Sequence, residues 1–367
     1  MFAFLCSLLS SFPNSSNADD WNQWLGPNRD SVWKESGIIK SIPKDGLKEL
    51  WRTPIAGGFA GPAVAGDHVF VTDFVLQDGD QTFNASKRSV LKGTERIHCL
   101  DRKTGKTVWA KEYACGYNMS YAAGPRATPT VDGDRVYWLG GEGHLRCHHT
   151  KDGKEVWFND LKKLYNLKEC PLWGFSSHPL VHGEMLYCIV GGEGSVAVAF
   201  DKSNGKEVWK SLSSQKGQGY APPTMITAGG TEQLLIFTPE SLNSLNPITG
   251  ETYWSKKIAA AYEMSIIAPT QHGDYLLTTA LQNATLLLKL DAEKPAATEV
   301  WRGKGTNPDH NPPVIHDGHI YGVDVKGHLR CIELVSGERK WESLATCPNG
   351  RPAASTTGFL VRNGDHW

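Results

Sequence analysis

The chain has 367 residues and a formal net charge of −1, from 38 Lys and Arg against 39 Asp and Glu. This balance, without any long Lys/Arg run, excludes the basic surface that nucleic-acid binding requires. Hydrophobic residues at 40% and charged residues at 21% indicate a globular protein, and 38 glycines with 20 prolines favour many short strands and tight turns.

The N-terminus has the features of an export signal. The apolar run Phe2–Leu9 is followed by small residues at the signal-peptidase positions in Ser16–Ala18. The run is too short to span a bilayer. We therefore predict a signal peptide over residues 1–18, an N-terminal lead-in segment over 19–47, and a periplasmic or extracellular location. Because no Lys or Arg precedes the run, an irregular cytosolic N-terminus is the alternative.

The remainder of the chain contains a tryptophan repeat with intervals of 40 to 58 residues. Its members are Trp51, Trp109, Trp157, Trp209, Trp254, Trp301 and Trp341. Five of them follow a turn glycine by four residues: Gly105, Gly153, Gly205, Gly250 and Gly337. Because glycine accepts a positive φ, each turn predicts a tight hairpin with the tryptophan on the departing strand. Further strand signals precede each turn, as in 127–148, and four strands per unit is the pattern of a propeller blade.

The predicted fold class is therefore all-β, a β-propeller over residues 48–367 built from four-stranded antiparallel blades. Six blades are complete, from Ala60 to about Glu342. Lys48–Pro54 is predicted as the fourth strand of a blade whose first three strands do not precede it, and Pro352–Arg362 as one closing strand. We expect the chain to be C-terminally incomplete.

The turn-and-tryptophan pattern is similar to a known repeat signature. Asp, two residues, Thr-Gly, three residues and Trp, as in Asp101–Trp109, resembles the PQQ repeat of quinoprotein-like propellers. Five further segments resemble a bacterial exported group related to the propeller of the outer-membrane assembly factor (the BamB type): Trp21–Asp30, Gly124–Pro129, Trp173–Phe175, Gly191–Ala197 and Glu240–Leu245. The resemblance implies a girdle of tryptophans wedged between neighbouring blades. It also implies eight blades in an intact chain, with seven possible.

The predicted ligand site lies at the mouth of the central channel, on the loops that lead into the first strands of the blades. These loops carry aromatic, amide and basic side chains: Tyr121, Arg126, Trp173, His178, Tyr220, Met264, His310, Asn311 and Arg351. Such a set suits an anionic ligand, a sugar-like ligand or a peptide. The alternative is that these side chains only pack the loops.

Two function classes follow. The first is a non-catalytic exported propeller, expected to be a monomer without a transmembrane segment, that binds a protein partner or a small ligand as a scaffold. The second, implied by the resemblance, is a PQQ-dependent oxidoreductase, which would hold calcium with Glu and Asn and in many members has adjacent cysteines. No two cysteines are adjacent here, and Asp309 with Asn311 is the one mouth-loop pair considered, which makes a poor calcium cage. We predict no catalytic residue, no metal and no cofactor; PQQ with calcium belongs to the second function only.

Cysteines and histidines favour packing over chemistry. Cys99, Cys147 and Cys331 occupy the same third-strand position, where a small apolar side chain packs well. Cys115 and Cys170 are predicted in consecutive mouth loops, and an exported protein could join them by a disulfide. Alternation along a strand sends neighbouring histidines such as His148 and His149 to opposite faces, away from a shared metal ion.

Overall fold

Six four-stranded antiparallel sheets form the computed structural model, which describes residues 19–39, 41–281, 284–303, 305–306, 308, 310–353 and 358–366. The predicted signal peptide lies outside these residues. Blade one consists of β1 Ala63–Ala65, β2 His68–Asp78, β3 Ser89–Asp101 and β4 Thr107–Met119, and blade two of β5 Thr130–Asp132, β6 Arg135–Leu139, β7 His144–His149 and β8 Glu155–Asp160. Blade three consists of β9 Leu180–His182, β10 Met185–Ile189, β11 Ala197–Asp201 and β12 Glu207–Ser211, and blade four of β13 Thr224–Ala228, β14 Thr231–Phe237, β15 Ser241–Leu245 and β16 Thr252–Lys257. Blade five consists of β17 Thr270–His272, β18 Tyr275–Thr279, β19 Thr285–Leu290 and β20 Ala297–Gly303, and blade six of β21 Val314–His316, β22 His319–Val323, β23 Leu329–Glu333 and β24 Arg339–Ser343.

Within each blade the strands are hydrogen-bonded in chain order, so the prediction of six four-stranded blades is confirmed. One short helix, α1 Leu161–Leu164, follows β8, and two 3-10 turns lie at Ala261–Glu263 and Pro348–Gly350. No helix in the described ranges is long and apolar enough to cross a membrane.

A β-bulge recurs in the pairing of the third and fourth strands of every blade. The residue just before each bulge lies opposite the tryptophan of that blade, as Cys99 does with Trp109 and Cys147 with Trp157. The position is small in five blades (Cys, Cys, Ala, Ser and Cys), which leaves room for the indole. Burial raises the pKa of Cys99 and of Cys147 to about 12, so these thiols are inert packing groups, as predicted.

The tryptophan girdle is built from one repeated contact. Five indoles donate their Nε1–H to a backbone carbonyl in the next blade's turn: Trp51 to Arg102, Trp109 to Thr150, Trp157 to Lys202, Trp209 to Pro247 and Trp301 to Leu334, at 2.8–3.0 Å. Each of these indoles also packs on the turn glycine, where an added Cβ would lie within about 3.0 Å of the ring. Two repeat tryptophans differ. Trp254 donates to Gln233 Oε1 in its own blade (2.9 Å), and the turn that follows has Lys294-Pro295 instead of glycine. Trp341 lies in the last of the six blades.

The two ends of the blade series differ from the prediction. Lys48–Pro54 is irregular backbone, so the predicted strand there is wrong; without neighbouring strands it has no ladder to join. Its Trp51 nevertheless docks on Gly105 as a girdle residue. Trp341 on β24 is 44% exposed, against 8% for Trp209. The predicted closing strand falls partly outside the described residues, and Arg362 forms an isolated parallel bridge with Val32.

The lead-in segment runs along the first strands of the blades. These strands approach one another between neighbouring blades (β1 with β5, β5 with β9, β17 with β21), which places them at the centre of the ring. Trp21 pairs with Val64 of β1, and Asn22 accepts from and donates to Val131 of β5. Arg29 donates to the carbonyls of His178 and Pro223, just before β9 and β13, so residues 21–29 run along the first strands of blades one to four. The sequence analysis did not predict this arrangement.

The cysteines in the described residues are free thiols, Cys115 and Cys170 included. The possible disulfide between these two is therefore not formed. Cys115 also lies within β4, because this strand extends to Met119, and not in a mouth loop as predicted. Cys170 lies in the loop between α1 and β9 and is buried.

Candidate functional site

A cavity of about 530 Å³ opens at the mouth, lined by the loops that join blades two to five and by Arg88 of blade one. This volume lies within the range of roughly 300–1,000 Å³ that is typical of ligand sites. Its lining includes Trp173, Tyr220 and Tyr262, together with Gln218 and several charged side chains. Two of the residues predicted from the sequence, Trp173 and Tyr220, thus line one cavity.

Trp173 and Tyr220 form the aromatic wall of this cavity. Their ring centroids are 5.6 Å apart with an interplanar angle of 67°, an edge-to-face arrangement that aromatic pairs prefer. The Tyr220 amide donates to the Ser265 carbonyl at 2.8 Å, which holds its loop against the next blade. Burial raises the pKa of Tyr220 to about 12, so its hydroxyl stays protonated at neutral pH and can donate a hydrogen bond.

Arg88 holds the loop that carries Trp173. Its guanidinium donates to the carbonyls of Asn118 (2.6 Å) and Cys170 (3.0 Å) and forms an ion pair with Glu169 at 3.3 Å. The Cys170 thiol donates to the same Asn118 carbonyl at 3.2 Å. These bonds join the loop that carries Trp173 to β4.

The cavity has charges of both signs and a backbone-rich wall. Its lining includes two cations, Arg88 and Lys216, and two anions, Glu169 and Glu263. Four lining glycines have positive φ: Gly191, Gly192, Gly217 and Gly219. Because glycine has no side chain, a ligand can approach the backbone closely there.

Arg126 and Tyr121 interact with each other and not with the cavity. Arg126 donates to the carbonyls of Ser120 (2.7 Å), Tyr121 (2.7 Å) and Gly124 (3.1 Å), and burial lowers the pKa of its guanidinium. The Tyr121 backbone has φ +48°, and its ring contacts Phe83. Both residues shape the loop after β4.

His178 lies beneath the lead-in segment. Its ring stacks on Trp24 with centroids 4.6 Å apart, and its Nδ1 accepts from the Thr128 amide at 2.9 Å. Burial lowers the pKa of His178 well below the usual range, so the imidazole is neutral. Of the remaining predicted residues, His310 and Arg351 are exposed, Met264 is half-buried and Asn311 is buried; none of these four lines the cavity.

Two side chains that bear on a PQQ–calcium site, Arg29 and Asn311, are hydrogen-bonded within the protein. Arg29 donates from its terminal nitrogens to the carbonyls of His178, Pro179 and Pro223, and from its Nε to Gln23 Oε1. Neither edge of the guanidinium is therefore free to donate two hydrogen bonds to a quinone carboxylate. Asn311 donates its Nδ2–H to the Val323 carbonyl at 3.4 Å. Its proposed calcium partner, Asp309, lies outside the described residues.

A second group of polar side chains, between blades one and two, was missed by the sequence analysis. Glu95, Cys115 and His144 each place one potential ligand atom within 4.8 Å of the other two. Burial raises the pKa of Glu95, although the hydrogen bonds from Tyr113 and Tyr117 act in the opposite direction. Burial lowers the pKa of His144. The three residues come from three strands with no motif spacing, so only the pairing of the blades brings them together.

Comparison with known proteins identifies the family. Residues 93–343 match the sequence profile described as outer membrane protein assembly factor BamB, which is more than half of the chain. The chain belongs to this family. The BamB of Yersinia pestis is 23% identical over 272 residues, covering 70% of this chain and 63% of that protein. The BamB of Moranella endobia (strain PCIT) is 24% identical over 254 residues, covering 64% of this chain and 60% of that protein. The chain thus spans about three fifths of the length of these BamB relatives.

The solved structures agree on the fold. A europium-containing methanol dehydrogenase superposes with a TM-score of 0.54 at 13% identity, over 95% of this chain and 88% of that one. At this identity the likeness concerns the propeller fold and not the activity. The resemblance of this chain to a BamB-type, PQQ-like propeller is therefore confirmed.

Proposed function

We propose that this chain is a non-catalytic, exported scaffold propeller that binds an extended polypeptide in its mouth cavity. The observation that carries the proposal is the cavity wall, where the Trp173–Tyr220 pair lies beside a glycine-rich backbone. Aromatic side chains supply most of the energy at binding hot spots. Exposed backbone in the same wall suits the amides and carbonyls of a peptide main chain.

The charges of the cavity support a polypeptide over an anionic ligand. Its two cations and two anions cancel, so no single sign of charge dominates. A phosphate-rich or polycarboxylate ligand would favour a cluster of arginines. A polypeptide segment with side chains of both signs is compatible with this mixture.

The family description supports a role in the assembly of outer membrane proteins. We propose that the bound polypeptide is handled in that process and that the chain acts outside the cytoplasm. The site needs no cofactor in this proposal, because its aromatic and backbone wall would bind a polypeptide by contact alone.

Peptide binding by the full chain tests the proposal. The probe is a fluorescein-labelled, unstructured peptide of alternating aromatic and polar residues, and binding is followed by fluorescence anisotropy. Trp173→Ala is expected to weaken binding at least tenfold, since an aromatic hot spot contributes about 2 kcal/mol or more. The matched control is Phe83→Ala, which removes an exposed aromatic side chain outside the cavity and is expected to bind as the wild type does.

Two results would contradict the proposal. One is equal affinity of the wild type and Trp173→Ala for the peptide. The other is tight binding of added PQQ with Ca²⁺ together with reduction of a dye by an alcohol, which would favour the oxidoreductase.

A further inference from the structure

The group formed by Glu95, Cys115 and His144 has the donor set of a transition-metal site. Glu95 lies on β3, Cys115 on β4 and His144 at the start of β7, so two neighbouring blades contribute. Cys115 Sγ lies 3.8 Å from His144 Nδ1. Zinc–sulfur and zinc–nitrogen bonds of about 2.3 and 2.0 Å at a tetrahedral angle separate two such donors by about 3.5 Å. The observed spacing is therefore close to that of two ligands of one ion.

The Glu95 carboxylate is oriented by neutral donors. One oxygen accepts from the Tyr117 hydroxyl and from the Gly141 amide (2.8 Å), and the other accepts from the Tyr113 hydroxyl. Metal-binding side chains in proteins are commonly fixed in this way by hydrogen bonds from outside the coordination shell.

Glu95 is also fully buried without a cationic partner among the described residues, since none of their Lys or Arg side chains pairs with it. Burying a carboxylate without a counter-charge is unfavourable, because the protein interior solvates the charge less well than water does. The nearest comparison is Glu142, which is buried in the same region but forms an ion pair with Lys162. Arg146 lies against the Tyr113 ring, yet its ion pair is with Glu155.

His144 gives the cluster access to solvent. Its side chain is half-buried, while Glu95 and Cys115 are buried behind it. The ring is held edge-on against Tyr113 with centroids 5.0 Å apart. We therefore expect an ion to enter past His144, with water in a fourth position.

We propose that Glu95, Cys115 and His144 bind one divalent transition metal ion with the preferences of zinc. The set of one oxygen, one sulfur and one nitrogen suits Zn²⁺ or Co²⁺ and not Ca²⁺ or Mg²⁺. Binding releases the thiol proton of Cys115 to solvent, and the two positive charges then balance the carboxylate and the thiolate. The ion supplies the counter-charge that Glu95 lacks and ties blade one to blade two.

Cobalt binding by the full chain tests this site. The protein is freed of metal with a chelator under reducing conditions and titrated with Co²⁺. The wild type is expected to bind one equivalent and to show the visible bands of tetrahedral cobalt with a thiolate-to-cobalt charge-transfer band, both abolished by Zn²⁺. Cys115→Ser is expected to lose the charge-transfer band, and His144→Gln to weaken binding at least tenfold.

Cys170→Ser is the matched control, because it removes a neighbouring buried thiol outside the cluster and is expected to keep the full spectrum. Zn²⁺ is expected to raise the melting temperature of the wild type and of Cys170→Ser but not of Cys115→Ser. Absence of the charge-transfer band in the wild type would overturn the proposal, and so would its loss in Cys170→Ser with retention in Cys115→Ser. If a variant fails to fold, the wild-type titration still tests the proposal, because absence of the charge-transfer band there contradicts it.

Discussion

Replacing Gly205 by Ala tests the girdle contact most directly. Gly205 has φ +72°, and a Cβ there would lie 2.7 Å from the indole of Trp157. Comfortable carbon–carbon contacts are about 3.5–4.0 Å, so the indole must retreat by nearly 1 Å. Overpacking of this kind lowers the free energy of unfolding by about 1–3 kcal/mol. Placing alanine in a left-handed backbone conformation lowers it by about another 1–2 kcal/mol. We expect the free energy of unfolding to fall by about 2–5 kcal/mol in total.

Gly183→Ala separates the two contributions. Gly183 lies in the same blade with φ +57°, but no atom lies within 4 Å of the added Cβ. This variant should therefore lose only the backbone contribution, about 1–2 kcal/mol. Urea denaturation followed by far-ultraviolet circular dichroism measures both variants, and combining Gly205→Ala with Trp157→Ala should remove the steric part.

The reasoning is refuted if Gly205→Ala and Gly183→Ala destabilise equally, or if the Trp157→Ala background leaves the cost of Gly205→Ala unchanged. Either result would mean that the indole moves away freely. The girdle would then be loose contact and not close packing.

Two further predictions concern stability. Trp209→Ala should cost about 3–5 kcal/mol in urea denaturation, whereas Trp341→Ala should cost less than half as much because Trp341 is largely exposed; equal costs would contradict the girdle role. Burial tends to raise the pKa of Asp73, but the His98 imidazole 3.2 Å away and hydrogen bonds from Arg96 and the Ala56 amide outweigh it and hold the pKa below its usual range. The resulting stabilisation is present above the unfolded-state pKa of about 3.9 and is lost as the pH falls toward the folded-state pKa. Asp73→Asn should therefore lower the free energy of unfolding at pH 7 by about 2–3 kcal/mol. The variant should also lose less stability than the wild type on acidification. Asp78→Asn, at an exposed ion pair 3.8 Å from Lys92, should change neither quantity, and an unaltered acid dependence in Asp73→Asn would contradict the assignment.

Features that depend on local spacing were predictable. The glycine four residues before each tryptophan encodes a turn and the strand that leaves it, and both are decided within about ten residues of chain. The small third-strand residue opposite the tryptophan, such as Cys147, follows from the same register. Trp254 shows the limit of this reasoning, because its different hydrogen bond depends on a turn in the following blade.

The mouth residues show why the site was only partly predictable. Trp173, Arg126 and His178 all precede first strands, so the sequence assigns them to the same rim. Trp173 lines the cavity, whereas Arg126 binds the carbonyls of its own loop and His178 stacks beneath Trp24. Loop backbone geometry and the path of the lead-in segment separate them, and neither leaves a periodic signal.

The sequence by itself determined the repeat, the four-stranded blade and the position of the tryptophan in each of the six blades, because turn chemistry and strand alternation act between near neighbours. Only the tertiary structure decided that residues 21–29 lie along the first strands, that Trp173 and Tyr220 share a cavity, and that Glu95 meets Cys115 and His144. These contacts join elements distant in the chain, and their formation depends on how the blades pack around the ring.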